Sequence, residues 1–160
     1  MSIIFFISRF VNVQLNRPMH VAYGYTLFDT MKSEEFQDYV HRQRCLVPAN
    51  AYYEWPNTGA KKKPKFEFQP VDESQDTFWM AGIYRQVEEG TLPVFTVMTM
   101  DASESVAPLH DRMPVILPSK EARRIWMSGE RDFLGLFRDT AVRDIRYRPC
   151  GVQQVGLDAV

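Results

Sequence analysis

Short apolar runs separated by polar connections constrain the fold of this chain more than any other feature. Residues 94–99 and 115–117 have the composition of buried strands, and residues 78–84 form a longer apolar stretch. Apolar and polar residues alternate over 65–69 and 144–148. Runs of this length with a period of two are typical of strands. The pattern therefore predicts a core made mainly of β-strands.

Helix-capping residues predict only a few short helices. Ser33, followed by two glutamates, begins a helix expected over residues 33–43. Ser119 caps a second helix, which Gly129 ends, and a short third helix is expected over Asp132–Arg138. Because strands outnumber helices, the expected class is α+β, with a β-rich sheet or barrel-like core.

Length and charge limit the possible functions. The 160 residues, of which 45% are hydrophobic, fit a single domain over residues 1–160. The net charge of −1 gives no overall basic field, so a nucleic-acid site has to be a local patch. The apolar run Ile3–Ile7 follows no basic residue and is far too short to span a membrane, which predicts a strand. We expect a soluble, cytoplasmic monomer.

The cysteines and two of the histidines indicate neither a disulfide nor a metal site. Cys45 lies in a strand-like stretch and is expected in the core, whereas Cys150 is expected to be exposed, and both are expected to be reduced. His20 and His41 have no acid or cysteine at ligand spacing. The sequence therefore predicts no metal ion and no cofactor.

The polar connection over residues 101–114 carries a histidine, carboxylates and an arginine between two prolines. A connection held between two core strands is a common place for functional side chains. His110 is therefore a candidate for proton transfer. In the alternative interpretation its imidazole only ties the loop to Asp111 or to a backbone carbonyl. A hydrolase built on His110 with Asp101 or Asp111 would lack a serine or cysteine in a recognised nucleophile setting.

A second candidate group is a carboxyl among aromatic rings. Glu54 follows Tyr52 and Tyr53 and precedes Trp55. Rings that exclude water from a carboxyl raise its pKa toward the range useful for proton transfer. Glu54 is thus a candidate general acid or base. In the alternative, Glu54 lies on the wet side of a strand whose other side buries Tyr53 and Trp55.

A lysine-rich segment follows these aromatic residues, at positions 61, 62, 63 and 65. Such a cluster can be a solvated hairpin tip, or it can neutralise phosphates while the neighbouring rings stack on bases. In the second case Arg112, next to His110, would add positive charge to the same groove. The candidate DNA contacts are Lys61, Lys62, Lys63, Trp55 and Arg112.

Four blocks of this sequence resemble the SOS response-associated peptidase (SRAP) family. The blocks are Arg-Cys-Leu-Val-Pro-Ala at 44–49 followed by Tyr-Glu-Trp at 53–55, Lys63-Pro64 with Phe66, Ala81-Gly82-Ile83, and Val-Ala-Pro-Leu-His-Asp-Arg-Met-Pro-Val at 106–115. Their order and spacing also match, from Phe36 to Tyr147. The resemblance implies a single SRAP-like domain with a family-like core over 33–147 and a divergent part over 1–32.

The resemblance implies a protein of the DNA damage response that binds single-stranded DNA and acts on abasic sites. Members of the family condense the amine and thiol of an amino-terminal cysteine with the open-ring aldehyde of the abasic sugar. The resulting thiazolidine is a DNA–protein crosslink. By position, the catalytic glutamate of the family corresponds to Glu54 and its catalytic histidine to His110. Both fit a reaction that moves protons to and from oxygen atoms.

Two departures from the family pattern leave two functional hypotheses open. Ser2 stands where the family has the nucleophilic cysteine, and residues 24–26 stand where it has Asn-Ala-Arg. An alcohol is a far poorer nucleophile than a thiol. One hypothesis is a SRAP-type enzyme that works through Glu54 and His110, and the other is a non-catalytic, DNA-binding member. We expect no durable crosslink from the chain as written, and we expect Glu54 and His110 to share one cleft.

Overall fold

The structure, a computed structural model, describes residues 4–6, 20–21, 40–56, 62–72, 77–86, 93–129 and 132–154. The strands within these ranges are β1 (Ile4–Phe6), β2 (His20–Val21), β3 (Arg44–Ala49), β4 (Ala51–Glu54), β5 (Lys62–Pro70), β6 (Phe78–Arg85), β7 (Val94–Val97), β8 (Thr99–Asp101), β9 (Arg112–Pro114) and β10 (Ile145–Gln154). The helices are α1 (Lys120–Met127) and α2 (Phe133–Thr140).

The strands pair in three open sheets. One has the order β1-β4-β5-β10, the second has the order β2-β7-β6-β3, and β8 pairs with β9 in the third. All pairs are antiparallel except β2 with β7. The predicted β-rich α+β class is confirmed. Of the two expected forms of the core, sheet or barrel-like, the described ranges show open sheets and no closed barrel.

The sheet β1-β4-β5-β10 turns its two faces to different surroundings. Alternation along β4 directs Tyr52 and Glu54 into the core, where both are buried, and leaves Tyr53 half-buried on the opposite face. The register pairs Tyr53 with Glu67 of β5, and Glu67 with Arg148 of β10. We call these the inner face and the outer face of this sheet.

The second sheet brings its strands unusually close together at Gly82 of β6. A Cβ atom at this position would lie 2.9 Å from Sγ of Cys45 and 3.1 Å from the carbonyl oxygen of Thr96. A side chain there would push the neighbouring strands apart. Burial in this packing raises the pKa of the Cys45 thiol to about 12. Both cysteines are free, with Cys45 buried and Cys150 exposed, as predicted.

The two helices begin where capping predicted. Oγ of Ser119 accepts a hydrogen bond of 3.0 Å from the backbone N–H of Ala122, which satisfies one of the unpaired donors in the first turn of α1. The third predicted helix corresponds to α2. Of the helix expected over 33–43, residues 40–42 are helical, and residues 33–39 lie outside the described residues.

An aromatic cluster holds the helices against the second sheet. The Trp126 ring lies 5.2 Å from the ring of Phe137 and 6.2 Å from that of Phe133, between centroids. The guanidinium carbon of Arg44 lies 4.4 Å from the centre of the Trp126 ring, and Nη1 of Arg44 donates to the Trp126 carbonyl at 2.7 Å. This cation–π contact ties α1 to β3. Gly129 ends the helical segment with φ of 80°, which suits a residue without Cβ.

The apolar run at 115–117 differs from the prediction of a strand. Ile116 makes an isolated bridge to Met80 of β6, while the N–H of Val115 donates to the carbonyl of Met98 at 2.9 Å. The hydrogen bonds of this segment are divided between two neighbours, so no continuous ladder forms. The other predicted strands overlap β1, β5, β6, β7, β8 and β10. Within the described ranges, no helix has the length and apolarity needed to cross a membrane.

Candidate functional site

Glu54 ends β4 on the inner face of its sheet, and His110 meets it from the connection between β8 and β9. Oε2 of Glu54 lies 3.8 Å from Nε2 of His110, and the two side chains are 1% and 4% exposed. The prediction that these two side chains lie close together is confirmed, and their catalytic role stays a prediction. The separation exceeds a direct hydrogen bond and lies in the range where an intervening oxygen atom can bridge two polar groups.

Turns between β8 and β9 fix the backbone of His110. The N–H groups of Val106 and Ala107 donate to the carbonyl of Ser103 at 3.0 and 2.9 Å, and the N–H of His110 donates to the carbonyl of Val106 at 3.1 Å. The Val106 side chain is fully buried and anchors the loop in the core. The imidazole is therefore displayed on a rigid connection, as the sequence indicated.

The imidazole of His110 has close neighbours at both nitrogen atoms. Nδ1 lies 2.9 Å from the backbone nitrogen of Arg112, 3.0 Å from the Arg112 carbonyl oxygen and 3.1 Å from Oδ1 of Asp111. Nε2 faces Glu54. The ring thus ties the loop together, as the alternative interpretation held, and also presents its second nitrogen to a buried carboxyl.

Burial determines the protonation state of Glu54. Loss of water raises the pKa of its carboxyl to about 8, and the negative charge of Asp111 adds to the increase. Glu54 is therefore mainly protonated at neutral pH and can donate a proton. The alternative, with Glu54 on the wet side of the strand, is wrong, because the register of β4 turns Glu54 inward and Tyr53 outward.

Two buried polar atoms of this site make no hydrogen bond within the described part of the chain. They are Oε1 of Glu54 and Nε2 of His110. Buried polar atoms are normally paired with protein, water or a ligand. A carboxyl and an imidazole together can bind and protonate the oxygen atoms of a substrate. The described residues contain no group of three or more His, Cys, Asp or Glu side chains able to hold a metal ion.

The outer face of the same strands carries aromatic rings beside a lysine. Nζ of Lys65 lies 3.9 Å from the ring centre of Tyr53 and 5.7 Å from that of Trp55. Aromatic faces attract cations, and both kinds of group bind single-stranded nucleic acid. Trp55 is thus next to Glu54 in sequence and next to Lys65 in space.

The structure describes only part of the lysine segment that is predicted to contact DNA. Lys62 and Lys63 begin β5, where the structure describes their backbone, and Lys61 lies outside the described residues. Their contact with DNA stays a prediction.

The guanidinium of Arg112 is held within the hairpin of β8 and β9. Nη1 of Arg112 pairs with the carboxylate of Asp101, and Nη2 donates to the carbonyl of Thr99 at 2.8 Å. The side chain is 15% exposed. Arg112 thereby fixes the start of β9, two residues after His110. A contact of Arg112 with DNA stays a prediction.

The charged residues of β10 were not among the predicted site residues. Arg146 and Arg148 share the outer face, because alternate residues of a strand point the same way. Nη2 of Arg148 lies 2.6 Å from Oε1 of Glu67, and Nη2 of Arg146 donates to Oε1 of Gln69 at 3.1 Å. With Tyr147 they line an open cavity of about 210 Å³. The alternating arginines were visible in the sequence, but their pairing with β5 was not.

Comparisons with known proteins agree with the motifs of the sequence. The profile of the family described as SOS response associated peptidase (SRAP) matches residues 27–152. The abasic site processing protein HMCES of Gallus gallus is 36% identical over 104 residues, which is 53% of this chain and 31% of that protein. The protein of the same name from Xenopus tropicalis is 33% identical over 129 residues, 67% of this chain and 38% of that protein.

A bacterial relative is similar to a comparable extent. The abasic site processing protein YobE of Bacillus subtilis is 34% identical over 89 residues, 54% of this chain and 39% of that protein. The chain thus spans less than two fifths of the length of each of these three relatives, at 31%, 38% and 39%.

Two solved structures share the fold. A phage-related protein from Bordetella bronchiseptica has a TM-score of 0.61 at 22% identity, over 81% of this chain and 70% of that one. A protein from Bacteroides thetaiotaomicron has a TM-score of 0.59 at 24% identity, over 77% and 56% of the two chains. These likenesses concern the fold alone. Because the family profile covers most of its length, the chain belongs to the SOS response associated peptidase (SRAP) family.

Proposed function

We propose that this protein processes abasic sites in single-stranded DNA, with Glu54 and His110 as its proton-transfer pair. The names of its relatives support the substrate, and membership of the family supports the reaction class. The observation that carries the proposal is the geometry of the pair. A buried, protonated carboxyl lies 3.8 Å from an imidazole nitrogen on a rigid loop.

The pair suits the opening of the abasic sugar. In its closed form this sugar is a hemiacetal, with a hydroxyl on C1′ and an ether bond from C1′ to the ring oxygen. Opening removes the proton of the hydroxyl, breaks the ether bond and adds a proton to the ring oxygen, which yields an aldehyde and an alcohol. His110 accepts the first proton, and Glu54 donates the second from a carboxyl whose raised pKa keeps it protonated.

The outer face supports the choice of single-stranded DNA. Tyr53 and Trp55 offer rings on which bases can stack, and Lys65 brings positive charge to both. Tyr53 precedes Glu54 on β4, and Trp55 directly follows the end of that strand. A strand held there would present its sugar to the end of β4. The predicted contacts through Lys61, Lys62 and Lys63 would add further positive charge.

The test separates ring opening from covalent capture. Single-stranded DNA with one abasic site is incubated with the protein and an alkoxyamine that reacts only with the open aldehyde. The protein should accelerate oxime formation, and Glu54→Gln should lose about 10²- to 10⁴-fold of the acceleration, the usual contribution of a general acid. Denaturing electrophoresis of the same samples detects any crosslink.

Glu121→Gln is the matched control, because Glu121 is an exposed carboxylate on α1. It should behave as the unchanged protein. Equal rates for Glu54→Gln and the unchanged protein would contradict the role of Glu54. A folded protein that binds the DNA without accelerating oxime formation would support the non-catalytic hypothesis instead.

A further inference from the structure

We propose that Asp111 is a positioning residue that selects the tautomer of His110. Its carboxylate holds the imidazole by Nδ1, so that the neutral ring turns an unprotonated Nε2 toward Glu54. The inference deepens the proposed function and rests on it for its catalytic consequence. Its structural part concerns the side chains alone and can be tested without DNA.

Nδ1 of His110 has competing partners, and they require opposite protonation states. The backbone N–H of Arg112, at 2.9 Å, can only donate, which requires a lone pair on Nδ1 and places the proton on Nε2. The Asp111 carboxylate at 3.1 Å and the Arg112 carbonyl at 3.0 Å can only accept, which requires a proton on Nδ1. The stronger of these sets decides the tautomer.

Charge favours the acceptors. An oxygen of the Asp111 carboxylate lies 3.1 Å from Nδ1, so its negative charge attracts a proton to that nitrogen, and the Arg112 carbonyl accepts the hydrogen bond. Both interactions oppose the single donor. The Asp111 side chain is 79% exposed, so water weakens its pull, but the ring it contacts is only 4% exposed. Nδ1–H is therefore the expected tautomer, and it depends on the charge of Asp111.

This tautomer is the one that the reaction needs. Only an unprotonated Nε2 can accept the hydroxyl proton of the sugar, because Nε2 is the nitrogen that faces Glu54. The imidazolium that forms lies beside the Asp111 carboxylate, whose negative charge stabilises the new positive charge. The same negative charge also opposes ionisation of Glu54. Asp111 thus favours a protonated acid and an available base at once.

The charged groups around the pair leave this role to Asp111. Tyr52 lies beside Glu54 on the inner face, and burial raises the pKa of its phenol well above the usual value, so it stays neutral. The guanidinium of Arg112 is directed to Asp101 and Thr99. Asp111 is the carboxylate that contacts the ring at Nδ1.

The first experiment reads the tautomer directly. Long-range ¹H–¹⁵N spectra of the ¹⁵N-labelled protein, with the His110 signals assigned by their loss in His110→Gln, should show a protonated Nδ1 and an unprotonated Nε2. Asp111→Asn should shift the ratio of the two tautomers toward Nε2–H by about fivefold, the size of one modest ionic contact. Asp111→Glu keeps the charge and should restore most of the ratio.

Glu104→Gln is the matched control, because it removes one negative charge from an exposed position of the same loop. It should leave the tautomer unchanged. A wild-type ring protonated on Nε2, or identical spectra for Asp111→Asn and wild type, would overturn the inference whatever the protein does to DNA.

The second experiment connects the tautomer to the reaction. In the oxime assay Asp111→Asn should lower kcat by about threefold to tenfold with KM unchanged, whereas a loop that had merely loosened would also raise KM. If the spectra change as expected but the unchanged protein does not open the abasic sugar, the proposed function fails and the tautomer assignment stands. If Asp111→Asn and the unchanged protein open the abasic sugar at the same rate, the positioning role fails and the proposed function stands.

Discussion

Glu54 and Glu67 lie on neighbouring strands of one sheet, yet their carboxyl groups have opposite surroundings. Glu54 faces the core, where the imidazole of His110 lies 3.8 Å from its carboxyl. Glu67 faces outward, where Nε and Nη2 of Arg148 lie 3.0 and 2.6 Å from its Oε1 and the Tyr53 hydroxyl lies 3.3 Å from Oε2. The inner carboxyl is isolated and neutral, whereas the outer one is paired.

A single step along β4 produces this difference. Tyr53 contacts the ionic network of the outer face, and Glu54, the next residue, is removed from water. Because the side-chain period of a strand is two, a slip of one residue in register would exchange the two environments. A carboxylate among cations suits binding, and a carboxyl without counter-charge suits proton donation. In the proposed function, binding and chemistry would lie on opposite faces of the same strands.

The largest expected effect is on stability as a function of pH. The pKa of Glu54 is raised from 4.5 to about 8 by burial, so between these values the folded state binds a proton that the unfolded state releases. As pH rises from 4.5 to about 8, the free energy of unfolding should therefore fall by roughly 1.4 kcal/mol per pH unit because of Glu54 alone.

Urea unfolding of the unchanged protein and of Glu54→Gln at pH 5, 6.5 and 8 measures this effect. The stability of Glu54→Gln should vary less with pH. Toward pH 8 the free energy of unfolding of the variant should therefore rise by a few kcal/mol relative to that of the unchanged protein. Parallel pH dependences for both proteins would show that the inner carboxyl is not isolated. Glu67→Gln provides the comparison from the outer face.

The second effect is on the rate of ring opening. A general acid with a pKa of about 8 is lost as pH rises, so the rate should fall about tenfold per unit well above pH 8. Oxime formation from pH 6 to pH 10, with uncatalysed DNA measured alongside, gives the profile. A flat profile through pH 9.5 would exclude Glu54 as the proton donor.

How far the sequence could predict the molecule differs between the two faces. Caps at Ser119 and the period of two placed the helices and most strands, because those signals are local. The aromatic neighbours of Glu54 predicted its raised pKa, and family motifs joined it to His110. Alternation along β4 could not say which side is buried, because it fixes only that neighbours point apart.

The outer face depended on long-range register. Arg148 meets Glu67 across strands that are far apart in sequence, and no local pattern specifies that pairing. The partners of Arg112 were equally hidden, because Asp101 and Thr99 meet it only when β8 and β9 form their hairpin. Prediction of a DNA contact from the position of Arg112 beside His110 could not include this competition for its guanidinium.

The third effect is on DNA affinity through the outer face. Lys65→Ala should weaken binding of single-stranded DNA several-fold and equally for intact and abasic strands, because Lys65 is expected to contact phosphate rather than the lesion. The slope of log affinity against log salt should become shallower by about 0.7, the value for one phosphate contact to a single strand. Fluorescence anisotropy at several salt concentrations measures both quantities.

Arg138→Ala is the control for Lys65→Ala, since Arg138 is an exposed cation on α2. It should leave affinity and salt slope unchanged. If Lys65→Ala weakens only the binding of abasic DNA, the outer face reads the lesion itself, and the separation of binding from chemistry does not hold.

The smallest effect is on the stability of the ionic network. Arg148 is 72% exposed in its pair with Glu67, so Arg148→Ala should lower the free energy of unfolding by less than about 1 kcal/mol. Urea unfolding at low and high salt measures it, and the difference from wild type should shrink as salt rises. A loss of several kcal/mol would mean that the outer face is as tightly coupled to folding as the inner one.

β10 ends its sheet within the described residues, and its sequence discourages the addition of another chain. Pro149 has no N–H to offer a new strand, and the register shifts between Pro149 and Gly151, where φ is 145°. Arg146 and Arg148 would repel the same residues of a second copy approaching edge to edge. Such features protect sheet edges from aggregation. Replacing Pro149, Arg146 and Arg148 together would allow β10 to pair with the same edge of a second molecule. Concentrated solutions of that variant should form assemblies that the natural edge resists.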